Sequence, residues 1–129
     1  MAERAVAKAR PVKLGLSHLR ITLSENFYIG PGRADLMELI AETGSISEAA
    51  KRMGMSYKRA WVLVQALNEG FGAPLVDASR GGKEQGASLS AAGREVLERY
   101  RGMQEATRRA IARDVDALSA LHTDMSDRK

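Results

Sequence analysis

Between Gly44 and Val76 the chain reads GSISEAAKRMGMSYKRAWVLVQALNEGFGAPLV, two helix starts separated by one glycine turn, and this spacing restricts the possible folds more than any other stretch. Ser45 and Glu48 form an S-x-x-E pattern, which predicts a reciprocal capping box: each side chain takes the other residue's backbone amide and a helix opens. Ala49, Ala50 and Met53 give that helix a small apolar face, and Gly54 supplies the left-handed or tight-turn position that ends it. Ser56 then caps a second helix running to about Phe71, along which Ala60, Val64, Leu67 and Phe71 recur at spacings of four, three and four. That stripe is laid on a core, and Tyr57, Lys58, Trp61 and Gln65 fall on the other side.

Two helices that cross steeply within a short turn need little side-chain volume where they touch, and Ala49 and Ala50 provide it. The arrangement is that of a helix-turn-helix. A major groove admits one α-helix, whose first residues reach base edges while nearby cations and backbone amides hold phosphates. Lys58 and Arg59 stand where that geometry needs them, and either is suited to guanine O6 and N7. Taken alone, the motif also fits an ordinary helical hairpin with a solvated charged face. Trp61 is ambiguous: its type suggests a core residue bracing the fold, its position a contact to sugar or wing.

Beyond Phe71, Pro74 blocks the helix, Leu75-Val76 reads as a short strand, Arg80 to Gly86 is R-G-G-K-E-Q-G, and Ala87 to Leu89 reads as a returning strand. A glycine-rich basic hairpin tip lets backbone approach a polyanion closely, as a wing on a phosphate backbone requires; a plain surface loop is the alternative. The order of elements is that of a winged helix. The expected DNA contacts are Ser45 and Ser47 at the first helix, Ser56, Tyr57, Lys58, Arg59 and Trp61 at the second, and Arg80 and Lys83 on the wing.

Five motifs then carry a resemblance: G-P-G-R at Gly30 to Arg33, E-T-G-S-I-S at Glu42 to Ser47, G-M-S-Y-K-R-A-W at Gly54 to Trp61, F-G-x-P-L-V at Phe71 to Val76, and L-S-x-x-G-R at Leu89 to Arg94. Together, over about Leu19 to Tyr100, they resemble the DNA-binding half of ModE-type, molybdate-responsive transcription regulators, and more distantly the N-terminal domain of LysR-type regulators. The most specific portion is Gly54 to Trp61. In the wing this chain has Lys83-Glu84-Gln85 where that family tends to a longer glycine run. The resemblance implies a DNA-binding, molybdenum-related regulator. Members often carry C-terminal β-rich molybdate-binding domains, but no strand pattern follows Leu89, so no molybdate site or other cofactor is expected in this chain.

With 129 residues, 44% of them hydrophobic, one soluble domain with a modest core is expected. The absence of cysteine removes disulfides and thiolate metal sites, and His18 and His122, far apart, are expected at the surface, so no metal site is expected. No apolar run approaches a membrane span or signal peptide, which predicts a cytoplasmic protein. The net charge of +4 favours polyanions, and its distribution matters more. From Ser45 to Asn68 the cations Lys51, Arg52, Lys58 and Arg59 face Glu48 alone, whereas Glu25 to Gly44 is acidic. Residues 1 to 18 form a basic arm in which Arg4, Lys8, Arg10 and Lys13 suit a minor-groove tail or a plain solubilising terminus.

Leu19, Ile21 and Leu23 alternate with polar residues and predict a half-buried strand beside the wing hairpin, closing a small sheet. Gly30-Pro31-Gly32 then turns the chain, and Arg33 to Thr43 is a first helix with Leu36, Leu39 and Ile40 inward. Residues 19–89 are therefore the winged domain. From Ser90, an N-cap, a proline-free helix runs to about Leu121, roughly 45 Å, within a C-terminal region of residues 90–129. Its stripe of Val96, Tyr100, Met103, Thr107, Ile111, Val115 and Leu118 outruns a small domain, which predicts a dimerisation helix; docking on a further domain of the same chain is the alternative. No nucleophile and base, carboxylate pair or P-loop spacing is assembled, so no enzyme is expected. The expected partners are double-stranded DNA and a second copy, with a separate sensor protein left open and a protein-interaction module or nonspecific DNA binder as the rival reading.

Overall fold

The computed structural model describes residues 14–78 and 86–127. Among them run β1 (Ile21–Ser24), β2 (Phe27–Ile29), α1 (Pro31–Thr43), α2 (Ile46–Met53), α3 (Tyr57–Phe71), β3 (Val76–Ala78), β4 (Ala87–Leu89) and α4 (Ala91–Asp127). The order is that of a winged helix followed by one long helix. The expected arm cations Arg4, Lys8, Arg10 and Lys13, and the wing-tip pair Arg80 and Lys83, lie outside the described residues.

Local chemistry sets each helix start. Pro31 opens α1 two residues before the expected Arg33, because a proline lacks the amide that a first-turn residue leaves unpaired anyway. At α2 the capping box is half made. Ser45 Oγ accepts the Glu48 amide at 3.0 Å, but the Ser45 amide donates to Thr43 Oγ1 at 3.2 Å instead of to Glu48. The Glu48 carboxylate faces Lys51 and Arg52 instead, at 3.9 and 3.7 Å. Gly54 ends α2 at φ 71°, with its amide bonded to Lys51 O at 3.1 Å, a left-handed cap that a side chain would strain. Ser56 Oγ accepts the Arg59 amide at 3.1 Å and so caps α3 as its sequence position suggests.

The core gathers Leu36, Met37 and Ile40 of α1, Ala49 and Ala50 of α2, Ala60, Val64 and Leu67 of α3, Leu75 and the two hairpins. Alanines at the α2–α3 crossing are fully buried, which brings the two backbones close. Phe71 departs from the buried stripe: it stays partly exposed and meets Phe27 edge to face, with ring centroids 5.3 Å apart.

The strand around Leu19 to Leu23 does not join the wing. Instead β1 pairs antiparallel with β2, Ile21 opposite Ile29 and Thr22 opposite Tyr28, while β3 and β4 form a separate hairpin with Val76 opposite Leu89. A tight turn through Asn26 closes this pairing locally, at lower loop entropy than reaching a strand much later in the chain. Phe27 and Ile29 are buried, whereas Leu23 points to solvent. The guanidiniums of Arg20 and Arg33 lie 3.6 and 3.9 Å from the Tyr28 ring, and Arg33 Nη1 donates to Tyr28 O, so the hairpin is fastened to the start of α1.

Asn68 joins α3 to the wing. Its Oδ1 accepts the amides of Leu75 at 2.8 Å and Val76 at 3.0 Å, and its Nδ2 donates to Val76 O at 3.0 Å. From the far side α4 docks so closely that a Cβ on Gly93 would overlap the Leu75 carbonyl. Ser90 Oγ accepts the Gly93 amide at 2.9 Å and donates to Pro74 O at 2.7 Å.

α4 runs to Asp127, beyond the expected end near Leu121, and is about 55 Å long. Its apolar stripe divides. Tyr100 is wholly buried in its own domain, donating its hydroxyl to Leu19 O at 2.6 Å, so it is not free to meet a partner chain, and Val96 packs partly buried on the same core. Burial pushes the Tyr100 phenol above its ordinary pKa. Next to it Arg101 joins α4 to α1 through Glu38 Oε1 at 2.6 and 2.9 Å and Asp35 Oδ1 at 2.8 Å. Burial works against the charged Arg101, yet the two carboxylates outweigh it and raise its pKa. Farther out, Gly15, near the end of the expected arm, lies close to Val115.

Removing the Asn68 carboxamide orphans two amides and a carbonyl. Asn68→Ala should lower unfolding stability by about 2 to 3 kcal/mol, read as a lower urea midpoint by circular dichroism at unchanged slope. Ser56→Ala should cost about 1 kcal/mol in the same assay, and Ser56→Asp should restore it, because aspartate is an equally good cap.

Candidate nucleic-acid interface

At about 100° per residue, the direction opposite the buried Ala60, Val64 and Leu67 of α3 falls on Lys58, Val62 and Glu69, with Gln65 beside them. Lys58, Val62 and Glu69 are exposed, and no element packs over them. Arg59 is exposed on one flank. Neither Lys58 nor Arg59 has an ion-pair partner among the described residues, so both charges are free to meet an anion. The Ser56 cap occupies the Arg59 amide, and the first-turn amides of Tyr57 and Lys58 have no helical acceptor. A helix start of this kind, with its positive dipole end and two free cations, suits phosphate.

The other flank is aromatic. Tyr57 stacks on Trp61 with ring centroids 6.4 Å apart and an interplanar angle of 17°. Trp61 is half-buried against the core while Tyr57 is 53% exposed, so the tryptophan serves as the base on which an exposed tyrosine is held. The structure thus gives Trp61 a supporting contact with the core and with Tyr57.

The start of α2 lies beside the wing, because the Gly44 carbonyl accepts the Ala87 amide of β4 at 2.9 Å. Ser47 is exposed in that first turn, whereas the Ser45 hydroxyl is engaged as the cap. Lys51 and Arg52 lean on Glu48, which tempers their charge. The structure thus brings Ser47, Ser56, Tyr57, Lys58 and Arg59 onto the two helix starts. Val62, which is absent from the contacts expected from sequence, is 56% exposed at the middle of the exposed face of α3, and its position four residues after Lys58 is the signal that marks it.

Along α4 the outer stripe is open. Met103, Leu118, Leu121 and Met125 are exposed, Thr107, Ile111 and Val115 half-covered. Leu121 and Met125 extend the stripe past the residues expected from sequence. Among the described residues no group of histidine, cysteine and carboxylate side chains is placed to hold a metal, and no helix is long and apolar enough to cross a membrane. His18 and His122 are both exposed.

Comparison with known proteins agrees with this geometry. Residues 34–94 match the family model described as bacterial regulatory helix-turn-helix protein, lysR family. The chain is 47% identical over 73 residues to the molybdenum-pterin-binding protein MopB of Rhodobacter capsulatus, covering 56% of this chain and 27% of MopB. It is 34% identical over 103 residues to the DNA-binding transcriptional dual regulator ModE of Escherichia coli, covering 78% of this chain and 39% of ModE. The chain therefore spans well under half the length of these relatives. Among solved structures, the CbnR DBD–DNA complex superposes with a TM-score of 0.54 at 29% identity, over 67% of this chain and 95% of that one. Full-length CbnR complexed with its target DNA gives a TM-score of 0.52 at 30% identity, over 64% of this chain and 27% of that one. Residues 34–94 are accordingly similar to bacterial regulatory helix-turn-helix proteins of the lysR family, and the chain is similar in sequence to the DNA-binding regulator ModE and in fold to the CbnR DBD.

Proposed function

We propose that this chain is a sequence-specific, non-enzymatic DNA-binding transcription regulator that acts as a homodimer on a pseudo-palindromic operator in the cytoplasm. The observation that carries the reading is the start of α3: uncapped amides, Lys58 and Arg59 without ion pairs, and a face turned directly away from the core. α3 enters the major groove by that end. Tyr57, Lys58 and Arg59 meet base edges and phosphates, and the amides at the starts of α2 and α3 hold the backbone on either side. The likeness to a DBD–DNA complex, and to a relative named a DNA-binding regulator, supports this use of the surface.

The homodimer rests on α4. Met103, Leu118, Leu121 and Met125 are exposed along an apolar line about 33 Å long, with Ile111 and Val115 half-covered between them. A second α4 is the surface that matches it in length and pattern, and two-fold pairing places two reading helices on half-sites a helical turn or a multiple apart.

Fluorescence anisotropy with promoter fragments from the protein's own genome, random DNA as competitor and a salt series, tests the first part. Binding should select a palindromic site and fall steeply with salt. Lys58→Ala with Arg59→Ala should flatten the log–log salt slope by about 2 and abolish selection, with circular dichroism unchanged. Ser56→Asp, stable by its cap, should bind at least about tenfold more weakly, because its carboxylate faces phosphate. Weak, salt-insensitive binding to every fragment would overturn the reading. For the dimer, Leu118→Glu should sediment as a folded monomer, lose affinity for the full operator and retain that for a single half-site.

A further inference from the structure

Val62 is the one residue at the centre of the reading face that can make no hydrogen bond. It lies about 200° around α3 from the buried Ala60, diametrically away from the core. Its side chain is 56% exposed, so it contributes little to packing, and a β-branched residue there is a poorer helix former than the alanine or lysine that would serve on a surface. It stands one turn after Lys58, and Cβ atoms tilt toward the helix start, so the isopropyl group leans to the end of α3 that carries the free amides and both cations.

In the major groove the base edges present hydrogen-bond donors and acceptors, with a single apolar feature, the C5-methyl of thymine. We propose that Val62 is a specificity-determining residue that reads a thymine methyl in each half-site. Four residues of helix advance about 6 Å, against about 3.4 Å between successive bases on a strand. The thymine therefore lies one or two base pairs from the base that Lys58 meets. The pair Lys58 and Val62 then divides the work: the ammonium takes acceptors of a purine edge, and the isopropyl group selects thymine over cytosine, whose C5 carries no methyl. The aromatic flank assists by position. Tyr57 on Trp61 closes one side of the groove against water, which increases the value of a buried methyl contact.

This inference rests on the reading of the chain as a DNA-binding regulator, and the test separates the two. The operator selected by the wild-type protein is resynthesised with each thymine in turn replaced by deoxyuridine, which removes the methyl and nothing else. Wild type should lose about three- to tenfold in affinity at one thymine per half-site and less elsewhere. Val62→Ala, which keeps a good helix former, should fold normally, bind the thymine and deoxyuridine operators equally at that position, and accept cytosine there more readily than wild type does. Equal binding by wild type to every deoxyuridine operator would overturn the role of Val62 while leaving sequence-specific binding intact. Retention of the methyl preference by Val62→Ala would do the same and transfer the contact to a neighbour such as Tyr57. Failure to select any operator at all would overturn the DNA-binding reading itself, and this inference with it.

Discussion

A helix can read a groove only if its support is rigid, and here the support converges on the Asn68 carboxamide. Three hydrogen bonds between it and the backbone of Leu75 and Val76 fix the later part of α3 to the first strand of the wing. The same Leu75 carbonyl accepts the Ser90 amide at 2.9 Å and meets Gly93 at the start of α4. One short segment, Pro74 to Val76, therefore joins the reading helix, the wing and the long helix. Buried backbone groups that are satisfied from three sides leave little room for rotation, which is what holds the exposed face of α3 at a defined angle to the wing.

The free charges lie at the end of α3 away from that anchor. Asn68 secures the last turns, whereas Lys58 and Arg59 project from the first, where no carboxylate among the described residues neutralises them. Acidic residues are instead used for structure. Asp35 and Glu38 of α1 hold Arg101, and Glu48 lies between Lys51 and Arg52. Arg101, which ties α4 to α1, is thus paired, whereas Lys58 and Arg59 at the start of α3 have no ion pair among the described residues.

Local signals in the sequence carried most of the fold. Ser56, Gly54 and the Ala60, Val64, Leu67 stripe act within one helix, so their spacing alone fixed their roles. The wing strands were legible because Pro74 and the glycine-rich tip bound them on both sides. What escaped depends on partners distant in the chain. Phe27 to Ile29 is too short to show a period, and only its pairing with β1 makes it a strand. The periodicity around Tyr100 marks an apolar face without saying what covers it, and the Leu19 carbonyl that receives its hydroxyl is far away in sequence. The S-x-x-E spacing points to Glu48 as the partner of the Ser45 amide, whereas the acceptor is Thr43 Oγ1, two residues before the pattern. Val62 was passed over because an apolar residue beside a buried stripe is easily taken for part of it.

The division of the α4 stripe gives the proposed dimer its geometry. Up to Arg101 the helix is held by its own domain, through buried Tyr100 and the bridge to Asp35 and Glu38. The next residue is Gly102, exposed, with nothing near its missing side chain, and the open stripe begins at Met103. A mid-helix glycine weakens the helix by about 1 kcal/mol relative to alanine, so bending is easiest at the boundary between the anchored half and the pairing half. Two domains joined through their outer helices would then have a limited freedom to adjust the distance between their reading helices. A regulator that meets operators of slightly different half-site spacing benefits from that freedom, whereas one with a continuous stiff helix would demand a single spacing. The position of this glycine, one residue after the Arg101 bridge and one before the exposed Met103, would place that adjustment outside the winged domain, whose reading helix and wing are joined by Asn68.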